Sequence, residues 1–329
     1  MPKATLIFNP LAGPANLAAA LELVADSWRV RDWLVEICPT QHPGHATEIA
    51  RQAAENGRHL VLAAGGDGTL GEVANGLAQS DTIMAPLPVG TANSFAKELQ
   101  LPRPGLGRQY KLLAASDMLA DGRVQSVDLG SVQTIGRPRH HWLLWAGTGA
   151  DGYLVDRLEP RPKWAKRLGA ADYALRGLRV APGMPKMEAE VVVDGRSFTG
   201  RFLLVVVSNC RLYAGGEVVL SPTAQMDDGR FEVWLFKGEG VARIFKYLAQ
   251  MKLGKHLGHP DIELVVGRDI TIHTDPAMPC HTDGDKAGRT PLTCQIHPGA
   301  LHLLVPQTTP DGLFQKPGVP LSAFVADKN

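Results

Sequence analysis

Long apolar runs are missing from this chain of 329 residues. The longest, Phe202 to Val207, holds six residues, far short of the roughly 20 that a bilayer-spanning helix needs. Cysteine is scarce. The four present, Cys38, Cys210, Cys280 and Cys294, lie far apart and form neither a C-x-x-C pair nor a zinc spacing. That usage suits reduced thiols in a cytosol. Net charge is only +1, so no global field draws the chain to nucleic acid or to anionic membrane, and any such attraction must be local. No nucleic-acid partner is expected. The stretch Met1 to Phe8 has only a short apolar run before Asn9-Pro10 and does not read as a signal peptide, so a cytoplasmic location is expected. No internal repeat is visible. What remains is an ordinary globular composition, 44% hydrophobic and 20% charged, at a length suited to about two domains.

One stretch stands out, Gly65-Gly66-Asp67-Gly68-Thr69. It follows an apolar run, His59 to Ala64, that reads as a buried strand, and it precedes Leu70-Gly71-Glu72-Val73-Ala74-Asn75-Gly76-Leu77, which reads as a helix. Glycines let backbone pass where a Cβ would collide and let amides face an anion at a helix N-terminus. The spacing of this motif is neither the dinucleotide fingerprint nor the Walker loop. Asp67 is the odd residue, because a carboxylate beside a phosphate cradle is repulsive unless a cation lies between or the acid handles a proton. The motif therefore suggests Mg²⁺-nucleotide chemistry, with a bare tight turn as the bland alternative.

Around it, strands and helices alternate. Strands are predicted at Ala4–Phe8, Trp33–Ile37, His59–Ala64 and Thr82–Leu87, with helices at Leu17–Ala25 (capped by Asn16) and Ala46–Asn56. Such alternation predicts an open, largely parallel sheet, whose ligands sit beyond the strands' carboxyl ends. Asn9, Thr40, Asp67 and Thr91 all follow predicted strands, so the topology gathers them on one edge. Near Val127-Asp128-Leu129-Gly130 the apolar runs become short and β-like, with helices at about Lys163–Val180 and Val241–Leu253. We expect an α/β domain over 1–127 and a mostly β, sandwich-like domain over 128–306. Its last strand, 301–305, is free to return to the first domain. Residues 307–329 read as a surface tail.

The ordered blocks Asn9-Pro10-Leu11-Ala12-Gly13, Thr40 with Gly44-His45-Ala46, Gly65 to Thr69, Val73 to Leu77, Pro88 to Ala96, Tyr213 to Gly216, Ser221 to Ala224, Asp227-Asp228-Gly229 and Asp283-Gly284-Asp285 resemble the diacylglycerol kinase and sphingosine kinase type of lipid kinase, most closely its bacterial soluble branch. The resemblance implies an α/β nucleotide domain like those of phosphofructokinase and NAD kinase, a β-sandwich lipid domain, and an active site in the cleft between them. It implies ATP and Mg²⁺ as cofactors and a lipid hydroxyl as acceptor. It places ATP on Asn9, Pro10, Leu11, Ala12, Gly13, Thr40, Gly65, Gly66, Asp67, Gly68, Thr69, Leu70, Gly71, Glu72 and Thr91. It gives the general base to Asp285 and a structural Mg²⁺ to Asp228 with the backbone of Gln225 and Arg230. Two positions depart from the family pattern. Asp285 stands where Glu is usual, and Ser94 where an acid is common.

The residues themselves leave the acid assignments open. Asp67 is the leading Mg²⁺ holder. Asp283 and Asp285 are i, i+2 and would point the same way on an extended segment, one as base and the other holding metal or orienting it. Asp67 as base, with the pair in support, is the alternative. Residues 157–186 carry eight basic residues against Glu159 and Asp172, with Trp164, Leu168, Ala171, Leu175 and Leu178 at helical spacing. A helix packed on its own domain explains this stripe, and a peripheral contact with the inner membrane face is the alternative. A homodimer is held open. The rival functions are a soluble-substrate kinase of the NAD-kinase sort and a non-catalytic nucleotide- or lipid-binding regulator.

Overall fold

The computed structural model describes residues 1–10, 17–89, 93–102, 110–159, 176–177 and 179–327. Its contacts divide the chain into two compact units: Met1–Leu129 with Gln225–Asp228 and Pro298–Asn329, and Gly130–Ala224 with Gly229–His297.

The first unit begins β1 (Lys3–Phe8), α1 (Leu17–Arg29), β2 (Leu34–Pro39), α2 (His45–Glu55), β3 (Leu60–Gly65), α3 (Asp67–Leu77), β4 (Ile83–Pro88), α4 (Ser94–Glu98), α5 (Tyr110–Ala120) and β5 (Arg123–Ile135). β1 pairs in parallel with β2 and β3, and β3 with β4, giving the order β2-β1-β3-β4. β3 and β4 are buried at every residue, which is why they read as unbroken apolar runs rather than as alternation. α1 extends four residues beyond its predicted end. Its buried stripe runs through Leu17, Leu21, Val24 and Trp28. The Trp28 indole N–H donates to Ser116 Oγ at 2.8 Å, fixing α1 to α5, a helix that the sequence reading passed over.

The second unit follows with β6 (Arg137–Trp142), β7 (Trp145–Gly149), α6 (Ala150–Leu158), β8 (Glu188–Val193), β9 (Arg196–Ser208), β10 (Leu212–Tyr213), β11 (Val218–Val219), β12 (Phe231–Lys237), α7 (Val241–Lys252), β13 (Ile262–Gly267), β14 (Asp269–Asp275), β15 (Pro279–Thr282) and β16 (Asp285–Val305). Its antiparallel ladders run β8-β9-β7-β15-β16-β14 and back to β8. The six strands thus form a closed circuit of ladders, and β12 and then β13 continue the sheet from β9. The closure is possible because β9 and β16 are long enough to pair with two strands of the circuit along successive stretches: β9 pairs with β8 up to Arg201 and with β7 from Leu204 onward. Inside lie Val191, Phe202, Val205, Val207, Ile270, Ile272 and Leu292.

β16 ends beside β4 in parallel register, His302 opposite Ile83. Residues 307–327 are not a surface tail. Leu313 is fully buried, β17 (Val319–Pro320) pairs with β5, and α8 (Leu321–Ala326) follows. The amides of Gln315 and Lys316 donate to the Asp227 carboxylate at 2.6 and 2.8 Å. The prolines suppress periodicity, so tertiary hydrogen bonds to a distant acid hold this segment where sequence pattern gives no sign of order. The first unit also takes in Gln225–Asp228, which a single cut at 127/128 does not give, and Pro298 onward, which includes the returning strand 301–305.

Candidate active site

In the first unit, β2 and β3 lie on opposite sides of β1 although they succeed it in the chain. The strand order therefore reverses between β1 and β3, the topological switch point at which open α/β sheets bind ligands. The loops after β1 and β3 flank it. Asn9, Pro10, Thr40, Gly66 and Asp67 all lie at these carboxyl ends, and the Thr40 amide donates to Phe8 O at 2.8 Å, tying the loop after β2 to the end of β1. Leu11, Ala12, Gly13 and Thr91, with Asn16, lie outside the described residues.

Gly66 caps α3 without a side chain, and the first intrahelical bond runs from Leu70 N to Gly66 O. The amides of Asp67, Gly68 and Thr69 therefore precede the helical ladder and face outward from its positive end. Gly65 is required by close approach, since a Cβ there would collide with the Thr69 side chain. Its carbonyl accepts from Asn93 Nδ2 at 3.0 Å and from Val89 N at 3.1 Å. The Asp67 carboxylate accepts from the amides of Ser94 and Phe95 at 2.9 and 3.1 Å. Asp67 thus caps α4 and staples the loop after β3 to the loop after β4. Burial pushes its carboxyl above the ordinary value, while the Ser94 and Phe95 amides, the Ser94 side chain and Lys97 pull it back. A carboxylate has about four acceptor sites, more than the two amides occupy, so the donor set fits both a polyphosphate on the α3 amides and a hard cation beside it.

Three residues expected on the nucleotide do other work. Leu70 is 1% exposed and Gly71 is buried, both within the core. Glu72 receives the Gly44 and Ala46 amides on its two oxygens at 2.9 and 3.2 Å, and its carbonyl accepts from Thr47 Oγ1 at 2.8 Å. Its charge is spent on the N-terminus of α2.

In the second unit, Asp283 and Gly284 form the two-residue turn between β15 and β16, with φ of 51° and 87°, the mirror-image turn that suits a twisted hairpin. The segment is not extended, so the expectation that Asp283 and Asp285 point the same way is corrected. Asp283 is buried and its carboxylate accepts the amides of Leu143, Leu144 and Trp145 at 2.8, 2.8 and 3.0 Å. It anchors the hairpin to the backbone of Leu143, Leu144 and Trp145. Asp285 opens β16 and is exposed. For the expected structural ion, Gln225 and Asp228 belong to the first unit and Arg230 to the second. The neighbouring acid Asp227 is taken up by Gln315 and Lys316.

One cluster was missed. Asp151, in the first turn of α6, accepts from His281 Nε2 at 2.6 Å and Tyr213 OH at 2.8 Å on one oxygen, and from Gly152 N at 2.6 Å on the other. An ionised carboxylate only accepts, so His281 donates from Nε2. Burial alone would lower the His281 pKa, but Asp151, with Asp283 and Asp285 behind it, raises it above 6.5. The signal was present. Gly147-Thr148-Gly149-Ala150-Asp151-Gly152 is a glycine-rich strand-to-helix turn carrying an Asp-Gly pair, as Gly65 to Thr69 does. Of the basic stretch 157–186, residues 160–175 and 178 lie outside the described residues.

The diacylglycerol kinase catalytic domain model matches residues 3–132. The YegS C-terminal NAD kinase beta sandwich-like domain model matches residues 147–305. The chain is 28% identical over 293 residues to a Bacillus subtilis diacylglycerol kinase, covering 88% of this chain and 92% of that one. It is 27% identical to a Staphylococcus carnosus diacylglycerol kinase, covering 88% and 90%. Among solved structures, one from Bacillus anthracis shares the fold with a TM-score of 0.74 at 24% identity, over 94% of this chain and 98% of that one. The two domain models succeed one another along most of the chain, in the order in which the structure places an α/β unit and a β unit, and the chain belongs to the diacylglycerol kinase family of lipid kinases.

Proposed function

We propose that this protein transfers the γ-phosphoryl group of ATP to the hydroxyl of a diacylglycerol-like or sphingoid-like lipid. The observation that carries the reading is the staple next to the switch point: Asp67 and Asn93 hold the loops after β3 and β4 together beside the three leading amides of α3. Phosphoryl transfer is mostly positioning and charge neutralisation, and this arrangement supplies a preorganised cradle. Mg²⁺·ATP, when bound, supplies the phosphoryl group and neutralises the charge on its oxygens. The amides of Gly68 and Thr69 would hold phosphate, Asn9, Pro10 and Thr40 would border the nucleotide, and Asp67 would orient the cation. Asp285 takes the proton from the attacking lipid hydroxyl. Asp228, with the backbone of Gln225, would hold a separate structural cation.

The test is a radiolabelled-ATP assay against a lipid panel (diacylglycerol, sphingoid base, ceramide, phosphatidylglycerol, glycolipid) with NAD⁺ as the soluble comparison. A labelled lipid, lost on chelation of divalent cations with EDTA and in Asp67→Asn, is the expected result. Labelled NAD⁺ with no labelled lipid would overturn the reading.

A further inference from the structure

We propose that α7 and the turn after it form a docking surface for an anionic lipid bilayer. The inference rests on the lipid-kinase reading, since a bilayer-borne substrate calls for a contact with its membrane.

The helix is firmly seated on its inner side. Tyr247 and Met251 are buried there, with Tyr247 packed on Phe236 at 5.4 Å. The following turn is fixed by His256, whose ring packs on Trp234 and whose Nε2 donates to Leu220 O at 2.9 Å. The outward side of the helix and its turn exposes large apolar side chains, one on α7 and two after it, where a solvated surface would be polar. Phe245 is 45% exposed, Leu253 68% and Leu257 48%. Around them Lys246, Lys252 and Lys255 are exposed.

No Asp or Glu occurs between Val241 and Pro260. The acids that follow are engaged by other cations, Asp261 by Arg243 at 3.4 Å and Glu263 by Lys237 at 3.1 Å. Large apolar side chains ringed by unopposed lysines are the composition that inserts at a headgroup–acyl boundary while meeting anionic headgroups. Self-association fits less well. A two-fold dimer sets the same patch against itself, bringing the three lysines of one copy against those of the other without a carboxylate between them. Because α7 is already ordered, docking costs little conformational entropy.

The full chain is floated with phosphatidylcholine vesicles with and without phosphatidylglycerol, at low and high salt. Binding at least about tenfold stronger to the anionic vesicles, and weakened by salt, is expected. Lys246→Glu/Lys252→Glu/Lys255→Glu should abolish the anionic preference. Phe245→Ser/Leu253→Ser/Leu257→Ser should weaken binding to both vesicle types. Both variants should phosphorylate a short-chain, monomeric lipid at the parent rate. The charge reversals lie on exposed side chains, so they keep the test valid if the apolar variant fails to fold. Absence of parent binding, unchanged binding in the charge-reversed variant, or a parent dimer that the apolar variant dissolves would each overturn the proposal. Lost vesicle binding in the variants, with no lipid phosphorylated by the parent, would support the docking surface and sink the kinase reading alone.

Discussion

Asp283 and Asp285 share one motif and have opposite fates. Asp283 is buried beneath three amides, so its removal strands three donors. Asp283→Ala should lower unfolding free energy by about 3 kcal/mol in urea denaturation, with activity falling only as folded protein is lost. Asp285 is exposed, and Asp285→Asn should leave the urea midpoint in place. It should cut turnover by roughly 10²- to 10⁴-fold, the usual contribution of a general base. Asp285→Glu, one methylene longer, should stay within about tenfold of the parent, because a base needs only hydrogen-bond reach. Full rate in Asp285→Asn would remove it from the proton-handling role. The DG-acid triplet was legible in the sequence. Which acid turns inward was not, because that follows from the left-handed conformation of Asp283 and from amides about 140 residues away in the chain.

At the scale of elements, histidines give the second unit two opposed pH limbs. His141 is pushed down to about 4 by burial, with His297, His140 and Arg139 adding to the effect. The unfolded chain then binds the extra proton below about 6.5, so stability declines as pH falls from there toward 4. His281 is shifted the other way. Its contribution is fully present below pH 6.5 and is lost as pH rises through its elevated folded value. Thermal melting followed against pH should trace a bell. His281→Gln should flatten the alkaline limb and His141→Gln the acid limb, and an alkaline limb unchanged in His281→Gln would refute the assignment. In the first unit, Glu72→Ala should release the N-terminus of α2, costing about 2 kcal/mol in stability through the two stranded amides. The β-α alternation behind this unit was readable from apolar runs and glycine turns. The clamp was not, because Glu72 on α3 bonds residues 26 and 28 positions away.

For the whole molecule, the segment after Val305 is structural. Ending the chain after Pro306 would expose the core positions that Leu313 covers, remove the strand beside β5, and leave Asp227 without its two amides. Such a truncation should melt several degrees below the full chain by calorimetry, and an unchanged melting temperature would restore the reading of a free tail. The membrane surface also belongs to this scale. A net charge of +1 hides a locally basic helix, since the compensating acids lie elsewhere.

The sequence by itself determined the alternation of strands and helices from β1 to β4, the glycine turns after β3 and β4, and the family. Each of these is written in short-range pattern: apolar runs, turn residues and motif succession. Only the tertiary structure decided how the acids are divided. Asp67, Glu72, Asp227 and Asp283 are acceptors for backbone amides of distant segments, whereas Asp285 stays exposed. The reason is physical. A carboxylate's role depends on which donors the fold brings within about 3 Å, and local sequence does not encode long-range register.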